Sequence, residues 1–441
     1  MKMRMNWIPR PRPHAARPPG RRPRRWRWLA AALLTACLAA AYPAAAAPGG
    51  TAAPAPIALV NCAPPGVKMP PCYSPRAYQV AYGVAPLLSQ GIDGSGETVV
   101  IGPEPATTPP SMDIRKDLAA FDSKFGLPPV NLNVVNTIAQ SATPYLAGDE
   151  EVTDTEMVHA IAPGAALDVV LVPRNVTSSS ANFAAAITKV IQEGVALHAA
   201  VVSISASVGE HLLTPAEWSP MHAALEQARD HRVTVVASSG DTGAISDDGP
   251  PRQVSLPASD PLVLAAGGTI LDAASPAGTY QGEMAWNDGD DASGGGYSSL
   301  FPRPSYQDRL ARAGATRGVP DVAANADSGT AMALEYSDGE FRPASGTSAS
   351  TPLWAGVITL ADQQAGQHLG FVNPAIYAIA RSPAYHQAFH DVVTGDNSVL
   401  WPTGVFAGYN AGPGWDPVTG WGSPDARYLV PLLADAARPG A

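Results

Sequence analysis

Glu150 and Asp154 stand four residues apart in the segment AGDEEVTDTEMVHAIAPGA. On a helix that spacing puts two carboxylates on one face, about one turn apart. Two carboxylates that close do not both ionise easily, so at least one holds its proton to higher pH. Such a pair suits proton transfer in acid, where an imidazole base is already charged. Taken alone, the pattern reads more readily as a solvated acidic first turn, which the helix dipole favours. Glu151 would point about 100° away around the helix, so Glu150 is the candidate base and Asp154 its support.

Two other segments offer the rest of an acyl-transfer site. Ser348 lies in SGTSASTPLWAGVITLAD, where the apolar run after Pro352 reads as a helix. A serine at a helix N-terminus sits among backbone N–H groups that favour developing negative charge. The same serine could be an ordinary N-cap. Asp241 follows the apolar run VTVVAS in SSGDTGA. An acid at the carboxyl end of a buried strand stands where α/β sheets place their sites, and a protonated one can donate to an oxyanion. By itself it is also a common Asx-turn residue.

The elements that must position these residues alternate. Apolar, β-rich runs cover Glu97–Gly102, Asn131–Val135, Ala166–Val172, Ala199–Ser205, Val233–Ser238 and Leu262–Ala266. Helical patterns cover Ser111–Phe125, Glu150–Ile161, Ala181–Gln192 and Pro215–His231. Strands alternating with helices predict an α/β fold with a parallel sheet covered on both faces. His159, on the acidic helix, reads as a packing histidine, because it is five residues from Asp154.

Composition bounds the function. The chain has 441 residues and 46% hydrophobic residues, enough for a large globular core. Ten of its 28 Lys and Arg lie in residues 1–47, which leaves 18 basic against 38 acidic residues beyond them. An acidic body argues against a nucleic-acid partner and is compatible with work at low pH. The basic, Arg-rich start and the apolar run LAAALLTACLAAAYPAAAA at 29–47 read as a secretory leader. Leu34-Thr35-Ala36-Cys37 also resembles a lipobox, which would place a lipid anchor on Cys37, and the paired arginines weakly suggest twin-arginine export. Residues 48–72 read as an Ala/Pro-rich tether ending in a loop between Cys62 and Cys72. In an exported chain those two cysteines pair, and otherwise they are free thiols. No later stretch is long and apolar enough to span a bilayer.

Together the three segments resemble the sedolisins, the serine-carboxyl peptidases, from about Tyr73 to Gly422. SGTSASTPLWAG is similar to the family's nucleophile segment, EEVTDTEMVHAIAPGA to its Glu-x-x-x-Asp helix and SSGDTGA to its oxyanion segment. GGGYSSLFPRPSYQ and VPDVAANAD support the likeness. The resemblance implies a subtilisin-like fold over 73–441 and a single catalytic domain. Ser348 would be the nucleophile, Glu150 the base, Asp154 its support and Asp241 the oxyanion acid. FHDVVTGDN and AGPGWDPVTGWGSP resemble the family's calcium loops. They imply one structural Ca2+ held by the side chains of Asp391 and Asp416 and the carbonyls of Val392, Gly412 and Gly414.

The expected activity is cleavage of peptides or unfolded proteins in acid by a secreted or cell-envelope monomer, internal cleavage being favoured. A tripeptidyl-peptidase and a catalytically impaired surface binding protein are the alternatives. Three departures from the family pattern stand out. The 25 residues of 48–72 leave no room for the usual large prodomain, so the maturation route is open. The substrate edge reads Ser205-Ala206-Ser207 where the family has Ser-x-Gly, which would narrow the cleft, with Glu210 still in place. The first strand ends Gly102-Pro103-Glu104, where an aspartate is usual.

Overall fold

A computed structural model describes residues 59–63, 68, 70–105, 114–137, 149–173, 176, 178–246, 249–273, 277–312, 314–335 and 339–438. The leader, with Cys37 and the paired arginines, lies outside them. Eight strands form the main sheet: β1 (Thr98–Pro105), β2 (Asn131–Asn136), β3 (Ala166–Val172), β4 (Val201–Ile204), β5 (Thr234–Ser238), β6 (Leu264–Asp272), β7 (Gly282–Ala285) and β8 (Val322–Asn325). Their order is β7-β6-β5-β4-β1-β3-β2, with β8 also on β6, and every pairing is parallel except β6 with β7. This is the expected α/β architecture.

Pleating explains the two cores. Val99 and Ile101 of β1 turn to one face, where they join Val158 and Ile161 of helix α2 (Asp149–Ile161) and Trp354 and Ile358 of helix α5 (Thr347–Ala365). Val100 turns to the other face, with Ile187 of helix α3 (Ser180–Ala196) and Leu225 of helix α4 (Pro215–Asp230). Helix α1 (Ile114–Phe125) adds Leu118 and Phe121 to the first core. The helices α2 and α5 meet at Gly356, where an added Cβ would stand 2.7 Å from Ile161 Cβ. Only a residue without a side chain lets those two backbones approach so closely.

The family-like segments also serve as fasteners. Arg317 and Asp321 form a fully buried ion pair at 2.6 Å, and Asp321 also accepts from Tyr377 and Asn373. Glu210 is buried and accepts from the Ser299 N–H at 2.7 Å, tying its turn to the strand Gly296–Pro302. Leu59–Val60 pairs antiparallel with Cys72–Tyr73, so the segment read as a tether is held at Leu59–Val60 and at Cys72. Cys62 and Cys72 are disulfide-bonded, with Cα atoms 5.8 Å apart, and both are buried beside Val60 and Ala333. Among the described residues no helix is long and apolar enough to cross a membrane.

Glu283 on β7 carries a pH-dependent part of the stability. Its carboxyl accepts from Tyr82 at 2.9 Å, from Thr269 at 2.7 Å and from the Ser423 hydroxyl. Burial pushes it from 4.5 up to about 7, against the pull of these donors. A carboxyl raised in the fold supports stability fully below its unfolded value near 4.5, and that support is lost as pH rises through about 7. The upper bound is roughly 3 kcal/mol, discounted because part of the residue reaches solvent. We therefore expect the melting temperature to fall between about pH 4.5 and 8. Glu283→Gln, neutral at both, should fall less, and equal pH slopes in the two proteins would refute this role.

Candidate active site

The four candidate residues come from three elements: helix α2, the start of helix α5 and the loop after β5. Ser348 is the second residue of α5, which opens at Thr347 with Pro352 inside its early turns. The preceding Gly346 has φ of +79°, and a Cβ there would stand 2.6 Å from Asp241 Oδ2. Glycine is thus required both by the left-handed backbone and by the approach of the acid. Asp241 follows β5 in the loop Ser239–Gly243, and its carboxylate reaches into the nucleophile turn. Asp241 Oδ1 accepts from the Thr347 N–H at 2.8 Å and from the Thr347 hydroxyl at 2.7 Å. Thr347 Oγ1 in turn accepts from the Gly240 N–H at 3.2 Å, which closes the loop.

Asp154 and Glu150 lie on α2, as the sequence spacing predicts, but in unlike surroundings. Asp154 is fully buried, whereas Glu150 in the first turn is exposed. Burial, followed by the charge of Glu150, pushes the Asp154 carboxyl well above the usual carboxylate range. A hydrogen bond from Ser205 pulls the other way, and Glu151 adds a further upward push. Glu151 is buried where Glu150 is exposed, in keeping with its 100° offset on the helix. Placing one ionisable carboxyl at the surface and a proton-retaining one beneath it gives the helix a base with a tunable partner.

The carboxyl end of β4 joins the two halves. Ser205 Oγ donates to Asp154 Oδ1 at 2.6 Å and lies 3.2 Å from the Ser348 carbonyl oxygen. The Ser348 hydroxyl donates to the Ser205 carbonyl at 3.4 Å. The structure thus links Asp154, Ser205, Ser348, Thr347 and Asp241 by hydrogen bonds at the carboxyl ends of β4 and β5, where open α/β sheets hold their ligands. Sequence reading placed Ser205 on a substrate edge and gave Thr347 no part. The only signal for either was its position, at a strand end or beside the nucleophile. His159 is buried 2.9 Å from Asp122, away from this group, as a packing histidine.

The residues expected to hold calcium gather near the C-terminus. Strand Phe389–His390 pairs with Ser423–Pro424, which brings the two loops together. The Gly414 N–H donates to both oxygens of Asp391 at 3.1 and 3.2 Å. Asp416 is fully buried, accepts from the N–H groups of Gly412, Val418 and Thr419, and shares Thr419 Oγ1 with the Val392 carbonyl. Burial lifts Asp416 from 3.8 to about 6. Among the described residues no group of three or more His, Cys, Asp or Glu side chains is placed to hold a metal ion. A set of two carboxylates and three carbonyls fits a hard cation such as calcium, and a buried carboxyl this raised is eased by a neighbouring positive charge.

Residues 140–383 match the subtilase family model. The chain is similar to kumamolisin of Bacillus sp. (strain MN-32), with 35% identity over 84% of this chain and 65% of that protein. It is similar to sedolisin of Pseudomonas sp. (strain 101), with 32% identity over 71% of this chain and 54% of that one. Human tripeptidyl-peptidase 1 matches at 32% identity over 53% of the chain. The chain therefore spans about two thirds or less of the length of these relatives. In three dimensions it is similar to the Pseudomonas sedolisin, a serine-carboxyl proteinase solved with pseudo-iodotyrostatin. The TM-score is 0.72 and the identity 27%, over 84% of this chain and all of that one.

Proposed function

The chain belongs to the subtilase family, in its sedolisin group, and from that premise we propose that it is a secreted serine-carboxyl peptidase that cleaves peptides and unfolded proteins in acid. The observation that carries the reading is the meeting of Asp154, Ser205, Ser348 and Asp241 at the carboxyl end of the sheet, Asp241 joined through Thr347, with Glu150 one turn before Asp154 on the same helix. In the proposed cycle Glu150 takes the Ser348 proton as Ser348 Oγ bonds to the scissile carbonyl carbon. Asp154 holds Glu150 and tunes it, and protonated Asp241 with the Ser348 N–H donates to the oxyanion. Glu150 returns the proton to the leaving amine, the C–N bond breaks, and an ester on Ser348 remains. Water, deprotonated by Glu150, then releases the acid.

A carboxylate base places the optimum in acid. Hydrolysis of a denatured protein between about pH 3 and 8 should peak below about pH 6. A neutral or alkaline optimum would exclude Glu150 as the base. Internal cleavage is the finer reading. It is supported by the broader match to kumamolisin and sedolisin, 84% and 71% of the chain, than to tripeptidyl-peptidase 1 at 53%. A peptide blocked at its amino terminus separates the two, since a tripeptidyl-peptidase needs the free end.

Calcium belongs to the same proposal. Asp391 and Asp416 with the carbonyls of Val392, Gly412 and Gly414 would hold one ion, which would supply positive charge to the two carboxylates and pin the terminal loops. Chelation should lower the melting temperature by several degrees, and Asp416→Ala should remove most of the calcium dependence. An unchanged melting curve with and without chelator would discard the ion.

A further inference from the structure

We propose that Ser205 is a positioning residue whose hydroxyl couples Asp154 to the backbone of the nucleophile Ser348. The inference rests on the peptidase reading above and extends it. Ser205 directly follows the buried strand β4, whose pairing with β1 and β5 up to Ile204 anchors its backbone. From that fixed point Oγ reaches Asp154 Oδ1 at 2.6 Å and the Ser348 carbonyl at 3.2 Å. The Ser205 carbonyl accepts from the Ser348 hydroxyl at 3.4 Å. One residue thus touches the supporting carboxyl by its side chain and the nucleophile by both its side chain and its main chain.

The chemistry follows from what a hydroxyl can do. It carries one proton and two lone pairs, so it donates to one partner while accepting from another. With Asp154 ionised, the Ser205 proton goes to Oδ1, the shorter contact. With Asp154 protonated, Ser205 accepts from it and turns its own proton to the Ser348 carbonyl. Ser205 therefore fills Oδ1, while Asp154 Oδ2 is buried and takes no hydrogen bond from the protein. The groups facing this junction are Glu150 and Glu151, both on α2 and both acting on Asp154, together with Asp241 beyond Thr347. None is basic, so the hydroxyl is the neutral donor that makes a buried carboxylate tolerable there.

The test compares Ser205→Ala with Ser205→Thr, which keeps the hydroxyl. Alanine should lower kcat about tenfold or more with KM changed less than about twofold, and should move the acid limb of the pH profile upward. Threonine should recover kcat to within about threefold and restore the profile. A profile unchanged in Ser205→Ala, or equal losses in both variants, would overturn the proposal. A second readout needs no activity. Carbon-13 NMR titration of the Asp154 carboxyl in a Ser348→Ala background should show it protonating at higher pH once Ser205 is alanine. An unmoved carboxyl overturns the proposal even if the wild type cleaves nothing. An inactive wild type with a shifted carboxyl counts against the peptidase reading alone.

Discussion

Ser348→Ala is expected to lower kcat for peptide hydrolysis by about 10⁴-fold or more, leaving a folded protein. The size of the effect follows from the role. The other hydroxyls of the linked group, on Ser205 and Thr347, are taken up by Asp154 and Asp241, so loss of Ser348 removes the pathway rather than one contribution to it. Folding should survive because the Ser348 hydroxyl makes a single long bond, at 3.4 Å, to the Ser205 carbonyl. The turn that carries it is held by the other bonds, from Thr347 to Asp241 and from the Gly346 N–H to the Ala326 carbonyl at 2.8 Å. The measurement is turnover of a quenched peptide in acid, beside a melting curve. Activity within about tenfold of wild type would move the nucleophile elsewhere.

The second large effect separates two adjacent glutamates. Glu150→Gln should cost about 10³-fold or more in kcat, whereas Glu151→Gln should stay within about tenfold. Glutamine keeps the shape of the side chain but cannot take a proton. Glu150 is exposed on α2 and its charge pushes up the fully buried Asp154 four residues on. Glu151 is buried, and its own upward push on Asp154 is the last of the causes. Rates at the acid optimum for the two variants decide the register. A greater loss at Glu151 would assign the base to the wrong helical face.

The parallel sheet was legible because its strands are continuous apolar runs. Ala166–Val172 is found as expected, and Val201–Ile204 and Thr234–Ser238 fall within their expected runs. The run expected at Leu262–Ala266 extends to Asp272, since past Ala266 the strand pairs with β8 and with antiparallel β7, partners far along the chain. The catalytic helix was legible from its i, i+4 carboxylates and its Pro-Gly end. What the spacing could not show is that Asp154 is buried while Glu150 is not. That difference comes from α5 packing over α2, which no local pattern encodes. Ser205 and Thr347 were illegible for the same reason, because their roles exist only once β4, β5 and α5 meet. Short hairpins such as Val399–Trp401 with Gly404–Phe406 are two-stranded and carry no long periodic run.

The seat of Gly356 on Ile161 bears on how the protein fails when heated. Base and nucleophile ride on two helices that pack directly on each other, the Gly356 backbone against the Ile161 side chain. Their spacing cannot drift while that core stays packed, and it cannot persist once the core opens. Loss of activity on heating is then expected to accompany the opening of that core, and the half-life of activity to lengthen when the barrier to that opening is raised.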